Sequence, residues 1–259
     1  MGALAARFAA VRGEGRAALV GYLTGFDPTR RASLDRLLVA CEAGLDVLEL
    51  GVPFSDPTAD GTTIQAAMVR ALTGGATVAG VIELASELRR RVDVPIVLFG
   101  YSNPLLRFGP GLPAAAAAAG IAGLLVVDLP PEHAPALRDP ARAHGVDWVG
   151  LVAPNTTPAR RAAIVGGASG FIYAVSLTGV TGAALDTGDA GLRRSLAELR
   201  AATPLPIVVG FGVRTPDDVQ ALAAQADGVV VGSALIEAGE RGPAALRELI
   251  VSLRAATRR

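Results

Sequence analysis

Eight short, almost unbroken apolar runs, spread along the whole chain, constrain the fold more than any other feature of the sequence. Each run is bounded by glycine, proline or polar turn residues. Apolar runs without alternation are typical of strands buried on both faces, as in a parallel sheet covered by helices. The predicted strands are Ala18–Leu23, Asp46–Leu50, Pro95–Phe99, Gly123–Val127, Trp148–Val152, Gly170–Val175, Pro206–Val209 and Gly228–Val231.

Segments with helical spacing separate these runs. Arg30–Ala43 places Leu34, Leu37, Leu38 and Cys41 on one helical face. Similar segments predict further helices at Pro131–His144 and elsewhere, namely within Met1–Arg16 and at Val78–Arg91, Pro158–Val165, Gly191–Ala201, Pro216–Gln225 and Pro243–Arg254. We therefore expect an α/β fold, a single-domain (β/α)8 TIM barrel over residues 1–259 with an extra N-terminal helix.

A doubly wound sheet is the alternative fold. Such a sheet usually carries a glycine-rich fingerprint after its first strand. The corresponding segment here, Gly21-Tyr22-Leu23-Thr24-Gly25, lacks the spacing of that fingerprint. The barrel is therefore the preferred prediction.

Composition excludes several classes of function. The 24 basic residues, all arginine, balance 24 acidic residues, so no basic patch for nucleic acid is expected. Without lysine, this chain cannot form a Schiff base or anchor pyridoxal phosphate. One cysteine, Cys41, and two histidines, His133 and His144 in one predicted surface helix, offer no metal-ligand spacing. The sequence also lacks a long apolar span and a signal-peptide pattern, and its lone cysteine fits a reducing compartment, so we expect a cytoplasmic protein without membrane contact.

In a barrel enzyme the chemistry lies on the loops that follow the strands. Glu49 interrupts the apolar run Val47-Leu48-Glu49-Leu50-Gly51 near the end of the second predicted strand. Burial raises the pKa of a carboxyl group towards neutrality, where it can both donate and accept a proton. We interpret Glu49 as a catalytic candidate, with a buried structural ion pair as the alternative.

The loop after this strand carries two more carboxylates. Asp60 precedes Gly61 and is expected beside Glu49 over the barrel mouth, although a turn or N-cap role is also open. Asp56, between serine and proline, suits a turn equally well. Asp128 closes the fourth predicted strand and is expected to orient neighbouring groups rather than react.

Glycine-bearing turns follow the seventh and eighth predicted strands, at Gly210-Phe211-Gly212-Val213 and Gly232-Ser233-Ala234. A helix beginning at Ser233 would direct free backbone N–H groups at an anion, and this is where barrels commonly bind phosphate. Glycine and serine also serve as ordinary helix caps. A third loop, 176–183, has the length and glycine content of a closing lid or of a mobile loop.

Several of these motifs together resemble the tryptophan synthase α subunit family. They are Leu48-Glu49-Leu50-Gly51-Val52-Pro53-Phe54-Ser55-Asp56-Pro57 with Ala59-Asp60-Gly61, Tyr101-Ser102-Asn103-Pro104, Asp128-Leu129-Pro130-Pro131-Glu132, Leu151-Val152-Ala153-Pro154-Asn155, the loop 176–182, and Gly210-Phe211-Gly212. The resemblance covers about residues 18 to 240 in order. Departures are few: Leu177 stands where arginine is common, Thr62 where proline is common, and Gly25-Phe26-Asp27-Pro28 is longer than the usual Gly-Asp-Pro.

The resemblance implies cleavage of indole-3-glycerol phosphate to indole and glyceraldehyde 3-phosphate. It implies catalytic roles for Glu49 and Asp60. It also implies substrate-binding roles for Tyr101, Tyr173, Thr181, Gly182, Phe211, Gly212, Gly232 and Ser233. The implied partner is a β subunit in an α2β2 complex, which receives indole and carries the pyridoxal phosphate. No cofactor or metal is implied for this chain.

Other functions remain as alternatives. Indole-3-glycerol phosphate synthase uses a catalytic lysine, which this sequence lacks. Triose and ribulose phosphate isomerases lack the long, carboxylate-bearing second loop. A regulatory subunit that only activates a partner would not need both carboxylates.

Overall fold

A closed barrel of parallel strands forms the centre of the molecule. The computed structural model describes residues 2–175, 190–210 and 212–259. The strands of this part of the chain are β1 Ala18–Thr24, β2 Val47–Gly51, β3 Ile96–Gly100, β4 Ile121–Val126, β5 Asp147–Trp148, β6 Gly150–Val152, β7 Ile172–Val175, β8 Ile207–Gly210 and β9 Gly228–Val231. They pair in the order β5-β4-β3-β2-β1-β9-β8-β7-β6, every pair parallel. The predicted TIM barrel is confirmed.

The fifth predicted strand is wrong in one respect, because Trp148–Val152 is not continuous. It is two short strands, β5 and β6, separated by Val149. β5 pairs with β4 and β6 pairs with β7, so this segment passes from one neighbour to the other and closes the barrel. The Val149 N–H donates to the Leu124 carbonyl at 2.9 Å, which keeps the junction bonded to β4.

Helices cover the outside of the barrel, as the sequence predicts. They are α1 Ala3–Gly13, α2 Arg30–Ala43, α3 Thr62–Thr73, α4 Val78–Arg89, α5 Ser102–Phe108, α6 Leu112–Ala118, α7 Pro135–Ala143, α8 Pro158–Gly167, α9 Ala190–Ala202, α10 Pro216–Ala223, α11 Ser233–Glu240 and α12 Pro243–Ala255. The extra N-terminal helix, α1, is present. Helix α11 begins at Ser233, as predicted.

The prediction of one helix over Pro131–His144 is wrong at both ends. The Pro130 carbonyl accepts hydrogen bonds from the N–H groups of His133 and Ala134, which closes a turn before the helix. Helix α7 then starts at Pro135, since proline at the first helical position costs no backbone hydrogen bond. His133 therefore lies in the turn and His144 at the C-cap, rather than within the helix.

Two helices carry the site loops and were not predicted. In α3 the buried residues Ile64, Ala67, Met68 and Ala71 follow helical spacing. Helix α5 is only seven residues long and follows β3 directly. Helix α3 begins where the loop after β2 ends, and helix α5 begins directly after Tyr101, the residue that follows β3.

A buried ion pair lies at the N-terminal end of the barrel. Asp46, which precedes β2, accepts two hydrogen bonds from the Arg16 guanidinium, at 2.5 and 2.8 Å. It also accepts from the Leu19 N–H at 2.8 Å and from the Arg254 guanidinium at 3.2 Å. These donors join the segment before β1, strand β2 and helix α12, so this end of the barrel is held by charge as well as by packing.

No single helix in the described ranges is long and apolar enough to cross a membrane. The helices Thr62–Thr73 and Val78–Arg89 pass the length and composition test together, but they are bent by 99° at the break between them.

Candidate active site

A cavity of about 530 Å³ opens at the C-terminal end of the strands. Its lining comes from strands β1, β2, β3, β7 and β9, from the loops that follow β2, β8 and β9, and from the first turns of α3 and α11. The lining residues are Tyr22, Glu49, Asp60, Ile64, Phe99, Tyr173, Gly212, Val213, Arg214, Val230, Gly232 and Ser233. Six residues expected from the sequence thus meet in one place: Glu49, Asp60, Tyr173, Gly212, Gly232 and Ser233.

Glu49 is a buried carboxyl group with nothing to bond to among the described residues. It lies in β2, between Tyr22 of β1 and Val97 of β3, and is 1% exposed. Within that part of the chain neither carboxylate oxygen has a hydrogen-bond partner. Burial raises the pKa of Glu49 to about 8, because the charged form has lost its hydration. The structural ion pair that was the alternative is therefore not found among these residues.

Asp60 is buried too, but it has a hydrogen-bond donor. It is 3% exposed, and the Tyr101 hydroxyl donates to its Oδ2 at 2.6 Å. Burial raises the pKa of Asp60 to about 6, while the bond from Tyr101 opposes that rise. At neutral pH Asp60 is therefore mostly ionised and Glu49 mostly protonated, which gives the two carboxyl groups different chemical states.

Tyr101 holds the loop that carries Asp60. Its hydroxyl accepts a hydrogen bond from the Ala59 N–H at 3.0 Å while it donates to Asp60. Its ring packs on Phe54 of the same loop, with 5.3 Å between the ring centroids. The structure places Tyr101 against Asp60 and outside the cavity lining, although the sequence comparison with the family implied a substrate contact. Asp60 is not the N-cap of α3, which is Gly61.

Two buried tyrosines, one on β1 and one on β7, occupy equivalent places in the cavity wall. The Tyr22 side chain lies over Gly51 of β2, and the Tyr173 side chain lies over Gly210 of β8. A Cβ atom on either glycine would come within 2.2 Å of a tyrosine hydroxyl oxygen, so no other residue fits there. Each tyrosine lies two residues before the strand partner of its glycine. The glycines at the ends of β2 and β8 thus provide the room for both aromatic walls.

The turns after β8 and β9 form the other end of the cavity. Gly212 has a φ of +78°, a conformation that favours glycine. Gly232 is the N-cap of α11, and Ser233 is its first residue. The N-terminus of this helix therefore faces a cavity, as an anion site requires.

Six of the lining residues were not predicted as site residues, and two of these six, Tyr22 and Arg214, carry polar side-chain groups. Tyr22 lies in the first predicted strand, one residue before its predicted end at Leu23 and two before the end of β1 at Thr24. Arg214 follows the glycine turn after β8, and it is the one basic residue in the described lining of the cavity. An arginine two residues beyond Gly212 was a readable signal for an anion site.

The remaining candidates lie elsewhere. Thr181, Gly182 and Phe211, together with Leu177 and the predicted lid, lie outside the described residues. Asp56 is exposed and accepts a hydrogen bond from the Ser55 hydroxyl. Asp128 is exposed and accepts from both the N–H and the hydroxyl of Ser102, so it caps α5. In 2–175, 190–210 and 212–259, no three His, Cys, Asp or Glu residues are grouped as metal ligands.

A wider groove between the β4 and β6 loops is a weaker candidate for chemistry. The charged residues that line it are Asp128, Arg138 and Arg160. All three side chains are exposed or half-buried. The cavity at the barrel mouth, by contrast, contains two buried carboxyl groups with raised pKa values.

A parallel barrel with buried carboxyl groups and a helix N-terminus at the C-terminal ends of its strands defines a TIM-barrel enzyme. Comparison with known proteins identifies the family within this class. The family model described as "Tryptophan synthase alpha chain" matches residues 8–258. The chain therefore belongs to the tryptophan synthase alpha chain family, whose members are lyases that cleave indole-3-glycerol phosphate.

Individual relatives agree with the family model. The tryptophan synthase alpha chain of Gluconacetobacter diazotrophicus is 48% identical over 98% of this chain and 96% of its own length. That of Halorhodospira halophila is 49% identical over 99% and 96%. Among solved structures, tryptophan synthase of Mycobacterium tuberculosis superposes with a TM-score of 0.92 at 37% identity, covering 99% of this chain and 98% of that one.

Proposed function

We propose that this chain cleaves indole-3-glycerol phosphate to indole and glyceraldehyde 3-phosphate, with Glu49 as acid and base and Asp60 as the electrostatic partner. One observation carries the assignment of roles. Glu49 is fully buried without a described hydrogen-bond partner in the same cavity as a hydrogen-bonded Asp60. Two carboxyl groups whose surroundings set their pKa values apart are suited to separate acid and base tasks.

Protonated Glu49 starts the reaction. It gives its proton to C3 of the indole ring, which becomes an indolenine, and is left as a carboxylate. That carboxylate removes the proton of the glycerol hydroxyl next to the ring as the carbon–carbon bond breaks. The bonding electron pair returns to the ring, indole and an aldehyde form, and Glu49 is protonated again. A pKa near 8 suits a group that both gives and takes a proton near neutral pH.

Asp60 acts as a carboxylate throughout. It accepts a hydrogen bond from the indole N–H and stabilises the positive charge that develops on the ring when C3 is protonated. The hydrogen bond from the Tyr101 hydroxyl keeps the Asp60 carboxylate in place and favours its charged form. Because the ring serves as the electron sink, the step needs neither a lysine nor an added cofactor in this chain.

The phosphate group fixes the substrate rather than reacting. Backbone N–H groups of the turn at Gly212 and of the α11 N-terminus at Gly232 and Ser233 are suited to bind it. Tyr173 is positioned to line the cavity between the two ends. Binding at one end holds the scissile bond near Glu49 at the other, which contributes positioning. Thr181, Gly182 and Phe211 are assigned to the lid and the substrate contacts by family resemblance alone.

Assembly and location follow from the family and are part of the proposal. The solved relative from Mycobacterium tuberculosis is named tryptophan synthase. We propose that this chain, as one domain over residues 1–259, pairs with a pyridoxal phosphate-dependent β subunit in an α2β2 complex, to which it passes indole in the cytoplasm.

Indole release tests the proposed function. Purified chain is assayed with indole-3-glycerol phosphate, first alone and then with a β subunit in equal amount. Indole release that rises sharply on mixing supports the lyase and its complex, and full activity of the chain alone indicates an independent lyase. No indole under either condition would contradict the function and leave a purely regulatory subunit.

A further inference from the structure

We propose that Arg214 binds the phosphate group of the substrate at the rim of the cavity, where the phosphate competes with Glu237 for its guanidinium. The proposal rests on the proposed function, because it names a further residue for the same substrate. It goes beyond the backbone N–H groups, since it adds a side-chain cation that recognises the charge of the phosphate.

Arg214 is placed on the correct side of the cavity. It follows the turn at Gly212, and it lines the cavity together with Gly232 and Ser233 at the start of α11. Its backbone N–H donates to Asp218 Oδ2 at 3.0 Å, so its position is tied to the first turn of α10. The guanidinium therefore extends from a fixed backbone position beside the helix N-terminus that is suited to an anion.

The ionisable side chains that line the cavity indicate why a phosphate group would need Arg214. Among the described residues that line it, the ionisable acids are Glu49 and Asp60, and the basic residue is Arg214. Near neutral pH Asp60 is mostly charged and Glu49 mostly neutral, so the described lining carries one negative and one positive side chain, and Glu237 adds a negative charge beside Arg214. A phosphate dianion added to such a cavity without Arg214 would face only negative side-chain charge. A guanidinium is the side chain best matched to phosphate oxygens.

Glu237 pairs with this guanidinium but leaves most of its N–H donors available. Arg214 Nη2 donates to Glu237 Oε2 at 2.5 Å, and the Thr63 hydroxyl donates to the other carboxylate oxygen at 3.2 Å. The described bond uses one nitrogen of a group that carries five N–H donors. The Arg214 and Glu237 side chains are 43% and 34% exposed, so solvent weakens their attraction and a dianion can compete for the guanidinium.

The alternative is that the Arg214–Glu237 ion pair is purely structural. Arg214 would then serve only to hold Glu237 and, through Glu237, the first turn of α3. The two roles predict different signs for two variants. If Arg214 binds phosphate, Arg214→Gln weakens phosphate binding, whereas Glu237→Gln removes a nearby negative charge and does not weaken it. If the pair is structural, both substitutions break the same contact and act alike.

Steady-state kinetics with indole-3-glycerol phosphate and calorimetric titration with sn-glycerol 3-phosphate measure these effects on the purified chain, with β subunit present in the kinetic assay. For Arg214→Gln we expect KM and the glycerol phosphate Kd to rise about tenfold or more, with kcat within about twofold of wild type. Arg214→Lys, which keeps the charge, is expected to recover part of the affinity. Glu237→Gln is expected to leave Kd unchanged or lower.

Arg247→Gln is the matched control. Arg247 pairs with Glu42 on the surface at 3.1 Å and is 48% exposed, so it matches Arg214 in pairing and exposure without lining the cavity. Its substitution is expected to leave KM, kcat and Kd unchanged.

The outcomes separate the inference from the function on which it rests. Unchanged glycerol phosphate affinity in Arg214→Gln, or an equal loss in Arg214→Gln and Glu237→Gln, overturns the inference while wild-type indole release still supports the function. Absence of indole release from the wild-type chain would instead contradict the function.

Discussion

Asp46, directly before β2, and Glu49, within β2, lie three residues apart and are both 1% exposed, but their surroundings differ completely. Asp46, at the N-terminal end of the barrel, accepts hydrogen bonds from Arg16, Arg254 and the Leu19 N–H. Glu49, at the C-terminal end, has no described partner. Burial alone therefore does not define a catalytic carboxyl group. The supply of donors decides whether a buried acid holds the structure or transfers a proton.

The difference matches the division of labour in a barrel. The N-terminal face serves stability and the C-terminal face serves chemistry. A buried charge that keeps its donors stabilises one arrangement of the chain, and losing one donor is costly. A buried carboxyl group without donors destabilises its charged form and raises its pKa. Four variants test this contrast, from the largest expected effect to the smallest.

Glu49→Gln is expected to reduce indole release by about a thousandfold or more, since both proton transfers are assigned to this carboxyl group. Glutamine keeps the size of the side chain, so the melting temperature should not fall. Turnover and thermal unfolding of the same preparation measure both quantities. The exposed Glu83→Gln serves as the control. A variant that retained most of its turnover would remove Glu49 from the chemistry.

Asp46→Asn is expected to lower the free energy of unfolding by about 3 kcal/mol, because the buried Arg16 guanidinium loses its buried charge partner and keeps only the exposed Glu14. Turnover per folded molecule should stay near that of wild type. Urea denaturation measures the stability. Asp93→Asn, which removes a 96% exposed partner of Arg89, should cost less than about 1 kcal/mol. Equal losses in the two variants would break the contrast between buried and exposed charge.

Asp60→Asn is expected to lower kcat by about a hundredfold, because an amide cannot stabilise the positive charge on the indole ring. The Kd for sn-glycerol 3-phosphate should be kept, since that ligand binds at the other end of the cavity. Asp56→Asn, in the same loop but exposed, is the control and should behave as wild type. An effect confined to KM would make Asp60 a positioning residue.

Tyr101→Phe is expected to have the smallest effect, about a tenfold loss of kcat/KM near pH 6 and less at pH 8. The Tyr101 hydroxyl favours the charged form of Asp60, so its removal raises the pKa of Asp60 above about 6. Activity that needs ionised Asp60 must then be lost at a higher pH than in wild type. The pH dependence of kcat/KM measures this shift, and an acid limb that moved to lower pH would contradict it.

The barrel and the buried carboxyl group of Glu49 could be predicted from the sequence for a clear physical reason. Strands buried on both faces must be continuously apolar, so an acidic residue such as Glu49 within one is conspicuous. The break at Val149 could not be predicted, because it depends on which neighbours the two halves of the segment bond. The start of α7 at Pro135 depended on a turn closed by the Pro130 carbonyl.

Side chains that act across the barrel were harder to identify. Tyr22 and Arg214 are placed by contacts distant in sequence, with Gly51 in one case and Glu237 in the other. The helical spacing of Ile64, Ala67, Met68 and Ala71 in α3 was legible and could have been used. The donors around Asp46 come from both ends of the chain, so its contrast with Glu49 emerged only in three dimensions.

The protonation state of Glu49 tests the central claim most directly. Infrared difference spectra between wild type and Glu49→Gln isolate the stretching band of this one carboxyl group across a pH series. Because burial without a described donor raises its pKa to about 8, the protonated band should be present at pH 7 and disappear between about pH 7 and 9. A Glu49 that is already ionised at pH 7 and titrates near the ordinary glutamate value would contradict the account.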